Sequence, residues 1–247
     1  MNKTALLSTT LLATLSLSTL AFADTTPVDY NSKASIAFTP STDPTNPVDP
    51  TNPDDPIKPV DPDGTDPEPG TAGPLSIDFA SSLDFGAQSI TSVDKTYYAA
   101  AQKAVAADGS TVDKPNYVQV TDNTGTDQGW GLTVTQQAQL ADAKGNTLKG
   151  AAINFANGEA VTGTNTDAGT PTATASYSLV PGTASNVTSA AINQGEGTWV
   201  TRYGSDATSA ANSITLSVPG VSTKRAAAYT STLQWTLTQN PSTTVQD

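Results

Sequence analysis

The chain contains neither cysteine nor histidine. That removes disulfides and the thiolate and imidazole ligands usual for zinc, haem and iron–sulfur clusters. It also removes the Ser-His-Asp and Cys-His routes to an activated nucleophile. Any chemistry would fall to carboxylates, lysines, tyrosines and serines. Hydrolysis of a polysaccharide needs two carboxylates flanking the scissile bond, and Asp78, Asp84, Glu159 and Glu196 are the candidates. No spacing pairs them, and turn or surface roles account for each, so the chain reads as non-catalytic and without a cofactor. One string, Asp61-Pro62-Asp63-Gly64-Thr65-Asp66, sets oxygen ligands around a glycine as calcium requires. It departs from the order of a calcium loop and lacks the closing glutamate, so a solvated linker is the expectation.

The three tryptophans are the other residues with binding potential, because a large flat ring can stack on the apolar face of a sugar or anchor an interface. Trp130 shares one face of an extended chain with Leu132 and Val134; Trp235 shares one with Tyr229, Leu233 and Leu237, while threonines and Gln234 take the other side. Such alternation marks half-buried strands, and the inward face is the natural place for Trp130, Leu132, Tyr229, Leu233, Trp235 and Leu237. Their motif is therefore expected to be structural first. Trp199, Thr201 and Tyr203 share a mixed aromatic and hydroxyl face. Both a core role and an exposed ligand or partner role for Trp199 and Tyr203 stay open.

These strands need a domain to position them. With 247 residues, 36% hydrophobic and 14% charged, the chain can hold one all-β domain of ordinary size or two small ones. Alternating segments start at residues 75–79 and 83–90. Residues 116–121 and 130–135 read as a hairpin across the turn-rich 122–129, a stretch that also suits a ligand loop. Further strands are expected at 152–155, 176–180, 197–203, 213–218 and 229–238. The Ala-rich stretch 99–107 has helix propensity. Short strands with frequent turns predict a β-sandwich or open barrel of antiparallel strands, preceded by an extended Pro/Asp linker.

Residues 1–23 read as a signal peptide, with Lys3, a diluted apolar run and the Ala21-Phe22-Ala23 cleavage pattern. No later segment is apolar enough to span a bilayer. Residues 24–39 form an N-terminal arm in which 34–38 alternate as a strand would. Residues 40–74 form a linker in which Pro44, Pro47, Pro50, Pro53, Pro56, Pro59 and Pro62 fall every third residue. Three residues per turn is the polyproline period, so a stiff spacer is expected, on the order of 80 Å if extended to Pro69. Residues 75–247 form the β domain. The net charge is −12, with eight acidic groups against Lys58 alone in residues 40–74. No basic track exists for phosphates, which argues against a nucleic-acid partner.

The strings Leu83-Asp84-Phe85-Gly86, Tyr117-Val118-Gln119-Val120-Thr121-Asp122, Gly129-Trp130-Gly131-Leu132-Thr133-Val134, Gly195-Glu196-Gly197-Thr198-Trp199 and the terminal Tyr229, Leu233, Trp235, Leu237 set occur in this order. Together they make the chain resemble the WxL cell-wall-binding domain of surface proteins from low-GC Gram-positive bacteria. The resemblance covers essentially the whole chain after the signal. It implies a non-catalytic protein held non-covalently to peptidoglycan or an associated wall polymer, without a sortase anchor. It also implies partnership with other WxL-type proteins and a membrane-anchored WxL-interacting protein. Many relatives carry a large adhesive or enzymatic region that is not expected here, which limits the role to anchoring and assembly. The alternative is a host-directed adhesin.

Overall fold

The computed structural model describes residues 27–163 and 169–240. The expected signal peptide lies outside the described residues. The chain divides into two compact units, 1–37 and 38–247. In the first, the described residues 27–37 are exposed and form no helix or strand.

The second unit is built from short strands. In chain order they are β1 (Val48–Asp49), β2 (Asn52–Pro56), β3 (Lys58–Val60), β4 (Leu75–Ala80), β5 (Lys95–Tyr98), β6 (Gln102–Val105), β7 (Thr111–Lys114), β8 (Tyr117–Asp122) and β9 (Trp130–Gln136). There follow β10 (Ala152–Phe155), β11 (Gly158–Val161), β12 (Thr172–Ala173), β13 (Tyr177–Ser178), β14 (Ala184–Ala190), β15 (Gly197–Tyr203), the single helical turn α1 (Ala207–Ala210), β16 (Ile214–Val218) and β17 (Leu233–Gln239). Every strand pairing is antiparallel. Three four-stranded sheets run β13-β10-β16-β5, β11-β15-β8-β4 and β12-β14-β9-β17, beside smaller β1-β2 and β3-β6-β7 sheets. The architecture is all-β, as the alternation predicts, and all three four-stranded sheets face one core. That core holds Val118 and Val120, Trp130, Leu132 and Val134, Ile153 and Phe155, and Ile214 and Leu216.

The two Trp-x-Leu strands turn out to be each other's neighbours. β17 pairs with β9 so that Trp235 stands opposite Val134, and Leu237 opposite Leu132. Side chains opposite one another on one face are the unit of sheet stabilisation, so the repeated motif is one contact written twice. Burial is unequal, however. Trp130 is 1% exposed and Leu132 and Val134 are fully buried, whereas β17 is an edge strand whose Leu233, Trp235 and Leu237 are half-buried against the core.

Three expectations are corrected. Residues 116–121 and 130–135 do form strands, but no hairpin: β8 pairs with β4 and β15, and β9 with β14 and β17. The seven residues between β8 and β9 carry the chain from one sheet to the next. The Ala-rich 99–107 gives β6, because Gln102 and Ala104 are buried in pairing with Lys114 and Val112, and cross-strand burial overrides a weak helix preference. Residues 83–90 form no strand.

Part of the proline-rich stretch also differs from a solvated spacer. β1 and β2 pair with each other, and β3 pairs with β6 as an edge strand, where a proline's missing N–H faces away from the ladder. Gln119, fully buried, accepts from the Val48 N–H (2.8 Å) and donates to the Asn46 carbonyl (3.1 Å). Lys114 pairs with Asp49 at 2.5 Å, and Arg202 donates to the Pro50 carbonyl at 3.0 Å. Burial acts to raise the Asp49 pKa, but hydrogen bonds from Lys114 and Thr51 outweigh it and hold the carboxyl below its usual range. The calcium-like string closes on itself: the Gly64 N–H donates to the Asp61 carbonyl, and Asp63 accepts from both Thr65 N–H and hydroxyl.

Candidate functional site

At one end of the core, the loop after β8 meets the loop before β15 around a hollow of about 230 Å³. Its lining is Asp122, Thr124, Gly125, Asp127, Asn193, Gln194 and Glu196. Three carboxylates and two amides face it, with no lysine or arginine.

Local sequence makes these loops rigid. Asp122 Oδ1 accepts from the Thr124 N–H (3.0 Å) and hydroxyl (2.7 Å), turning the chain as it leaves β8. The Asn193 N–H donates to the Asp127 carbonyl at 2.8 Å, and both residues sit at positive φ, 62° and 54°. Asparagine and aspartate tolerate that region better than bulkier residues. Gly129 (φ 72°) has no alternative: a Cβ there would lie 2.3 Å from the Ala190 carbonyl oxygen. The Gly169 N–H reaches the Asn193 carbonyl, and the Gly195 N–H returns to Gly169.

The motif residues brace this arrangement from below. The Trp130 indole N–H donates to the Gly195 carbonyl at 2.9 Å, and the Trp199 indole N–H to the Glu196 carbonyl at 3.0 Å. Gly195 packs so closely over Trp130 that a Cβ would lie 2.6 Å from the indole nitrogen. The end of β17 ties down the same loops: Gln239 donates to the Thr126 hydroxyl (2.7 Å), and the Asn240 side chain donates to the carbonyls of Ala190 (2.8 Å) and Gln128 (3.2 Å). Buried tryptophans thus terminate on the carbonyls of the 195–196 loop. Removing an indole would leave a carbonyl unpaired and loosen that loop.

The residues singled out from sequence are distributed differently from some expectations. Trp199 and Tyr203, weighed as an exposed contact face, are buried at 3% and 2% exposure. The reason is that β15 runs inside its sheet between β11 and β8 and packs on both faces, Trp199 and Tyr203 in the main core and Val200 in a second cluster with Phe79 and Tyr117. Tyr203 packs at a tilt against Phe155, on which Tyr177 stacks, and hydrogen-bonds Tyr177 at 2.5 Å; burial pushes both phenols far above their usual range. Tyr229 is half-buried, and its hydroxyl accepts from the Arg225 N–H. Of the four carboxylates considered for hydrolysis, only Glu196 reaches the hollow. Asp78 is buried in β4, where it accepts from Thr121, Gln119 and Ser76, and burial raises its pKa above the usual range. Glu159 pairs with Arg202 at 2.8 Å, and Asp84 caps the Gly86 N–H. Sequence reasoning flagged 122–129 as a possible ligand loop but missed Asn193 and Gln194. The available signal was the run of turn formers Asn193, Gly195 and Gly197 just before a strand.

Comparison with known proteins returns one family: a model described as WxL domain, surface cell wall-binding, matches residues 25–241. No curated protein and no solved structure matches significantly.

Proposed function

The chain belongs to the WxL family of surface cell-wall-binding domains, and from that premise we propose that it is a non-catalytic module attached non-covalently to peptidoglycan, with the polar hollow as its wall contact. The supporting observation is the bracing of that hollow: Trp130 and Trp199 spend their indole N–H groups on the loop carbonyls of Gly195 and Glu196. A hollow lined by carboxylates and amides offers acceptors and donors to sugar hydroxyls and acetamido groups. Its carboxylates disfavour a phosphate-rich polymer. Rigid, hydrogen-bonded loops reduce the ordering cost of binding. On this reading the tryptophans hold the contact surface in shape and do not themselves touch the wall.

The test is sedimentation of the purified exported chain with washed Gram-positive cell walls, with and without prior digestion of the glycan strands, and in parallel with host matrix proteins. Expected are retention by intact walls, loss after glycan digestion, and weaker retention of Asp127→Asn and Glu196→Gln, whose folds should be unchanged. Retention that survives glycan digestion would reassign the ligand to a wall protein. Retention by matrix proteins alone would reassign the chain as a host-directed adhesin.

A further inference from the structure

Four of the largest exposed apolar side chains lie in one short segment: Val28, Tyr30, Ile36 and Phe38 are 94%, 92%, 80% and 87% exposed. They obey one period. Val28, Tyr30, Ser32, Ala34, Ile36 and Phe38 fall on one face of an extended chain, and Asp29, Asn31, Lys33, Ser35 and Ala37 on the other. The pattern is that of an amphipathic strand and runs for eleven residues, longer than any strand in the folded unit, yet the segment takes part in no ladder.

The folded unit carries the complementary feature. Of its seven-residue strands β9, β14, β15 and β17, only β17 lies at a sheet edge. Natural edges are blunted by charge, proline, bulges or a covering segment. β17, Leu-Gln-Trp-Thr-Leu-Thr-Gln, has no charge or proline, and its register with β9 has no shift. The edge of β4, by contrast, is bulged and capped by Thr71, which bonds the Ile77 N–H and carbonyl. β17 comes beside β4, and at that corner Leu75, Ile77, Leu233, Trp235 and Leu237 are all only half-buried.

We propose that residues 28–38 of one copy add as a strand to the open edge of β17 in a second copy, placing Ile36 and Phe38 over the half-buried face of Leu233, Trp235 and Leu237. Main-chain hydrogen bonds then supply affinity and the alternating side chains supply register, the mode by which extended peptides extend a sheet. The area is sufficient. Each large side chain offers on the order of 100–200 Å², so seating four of them and covering the acceptor removes on the order of 1,000 Å², the lower bound for a specific interface. Donor and acceptor are different surfaces of one chain, so the contact is head-to-tail and builds rings or open filaments along the wall.

Sedimentation velocity of the exported chain over a wide concentration range should show reversible self-association. Ile36→Asp with Phe38→Asp, which alters no packed residue, should weaken it about 100-fold or more. Because the chain has no cysteine, chains carrying Ser35→Cys can be mixed with chains carrying Thr236→Cys, both positions facing solvent in the proposed register. A disulfide between the two kinds of chain, abolished by the double aspartate variant, is the expected result. A monomer at every concentration, without mixed disulfide, overturns the proposal. Closure of a doubly substituted chain into an internally bonded monomer overturns the assignment to a second copy.

Discussion

Substituting each motif tryptophan by phenylalanine separates the two Trp-x-Leu motifs, which look equivalent in sequence. Trp130→Phe removes the indole N–H that donates to the Gly195 carbonyl at 2.9 Å, in a site where Trp130 is 1% exposed. An unpaired buried carbonyl costs about 1–3 kcal/mol. The smaller ring forfeits roughly 40 Å² of apolar contact, about 1 kcal/mol at ~25 cal/mol/Å². The sum is about 2–4 kcal/mol, or a Tm decrease of roughly 5–15 °C for a domain of this size. Trp235 is half-buried, lies on an edge strand, and its indole makes no hydrogen bond among the described residues. Trp235→Phe should therefore cost less than about 1 kcal/mol. Thermal unfolding followed by far-UV circular dichroism gives both values without relying on tryptophan fluorescence. Equal losses, or a larger loss at Trp235, would refute the argument that the first motif carries the fold and the second closes its edge.

Asp78 has a pKa raised by burial. A carboxyl raised in the folded state contributes stability that is complete below the unfolded value of 3.8 and is lost as pH rises through its folded pKa. Relative to Asp78→Asn, the wild-type chain should gain stability as pH falls from about 7 toward 4; paired denaturation curves that stay parallel across that range would contradict this. Gln136 is 1% exposed and both atoms of its amide are unpaired among the described residues. Gln136→Leu should therefore stabilise the domain by about 1 kcal/mol, and a lower urea midpoint would show that the amide has a partner. Gln119→Leu strips the Val48 N–H, the Asn46 carbonyl and Asp78 of their common partner. Hydrogen exchange should then accelerate in residues 46–60 while Trp130–Gln136 stays protected; unchanged exchange in 46–60 would mean that the other contacts suffice to hold this segment.

Much of the fold is legible residue by residue. Alternation locates Trp130–Gln136, Gly197–Tyr203 and Ile214–Val218 closely, because one face of each strand must leave water and the side-chain period is two. The candidate site was half legible. Residues 122–129 read as a turn or ligand loop from their Asp, Asn and Gly content, but their partner loop lies some 65 residues on, and nothing local announces that Asn193 will bond Asp127. Residues 48–60 read as a spacer because proline spacing is visible in sequence, while the buried amide of Gln119 that receives Val48 is not.

The sequence alone determined the class of the protein: no thiol or imidazole chemistry, an all-β unit of short strands, and a paired Trp-x-Leu signature of the WxL family. These follow from composition and from a periodicity that sterics impose on every extended chain. Tertiary structure decided which strands are neighbours, and with that the fate of each tryptophan. Trp199 is buried because β15 is an inner strand whose Trp199 face packs into the main core, and Trp235 is half-open because it lies against that core on β17, a strand at the edge of its sheet. Alternation assigns a face to a side chain, but only the packing of the sheets and the place of the strand within its sheet determine whether that face is covered.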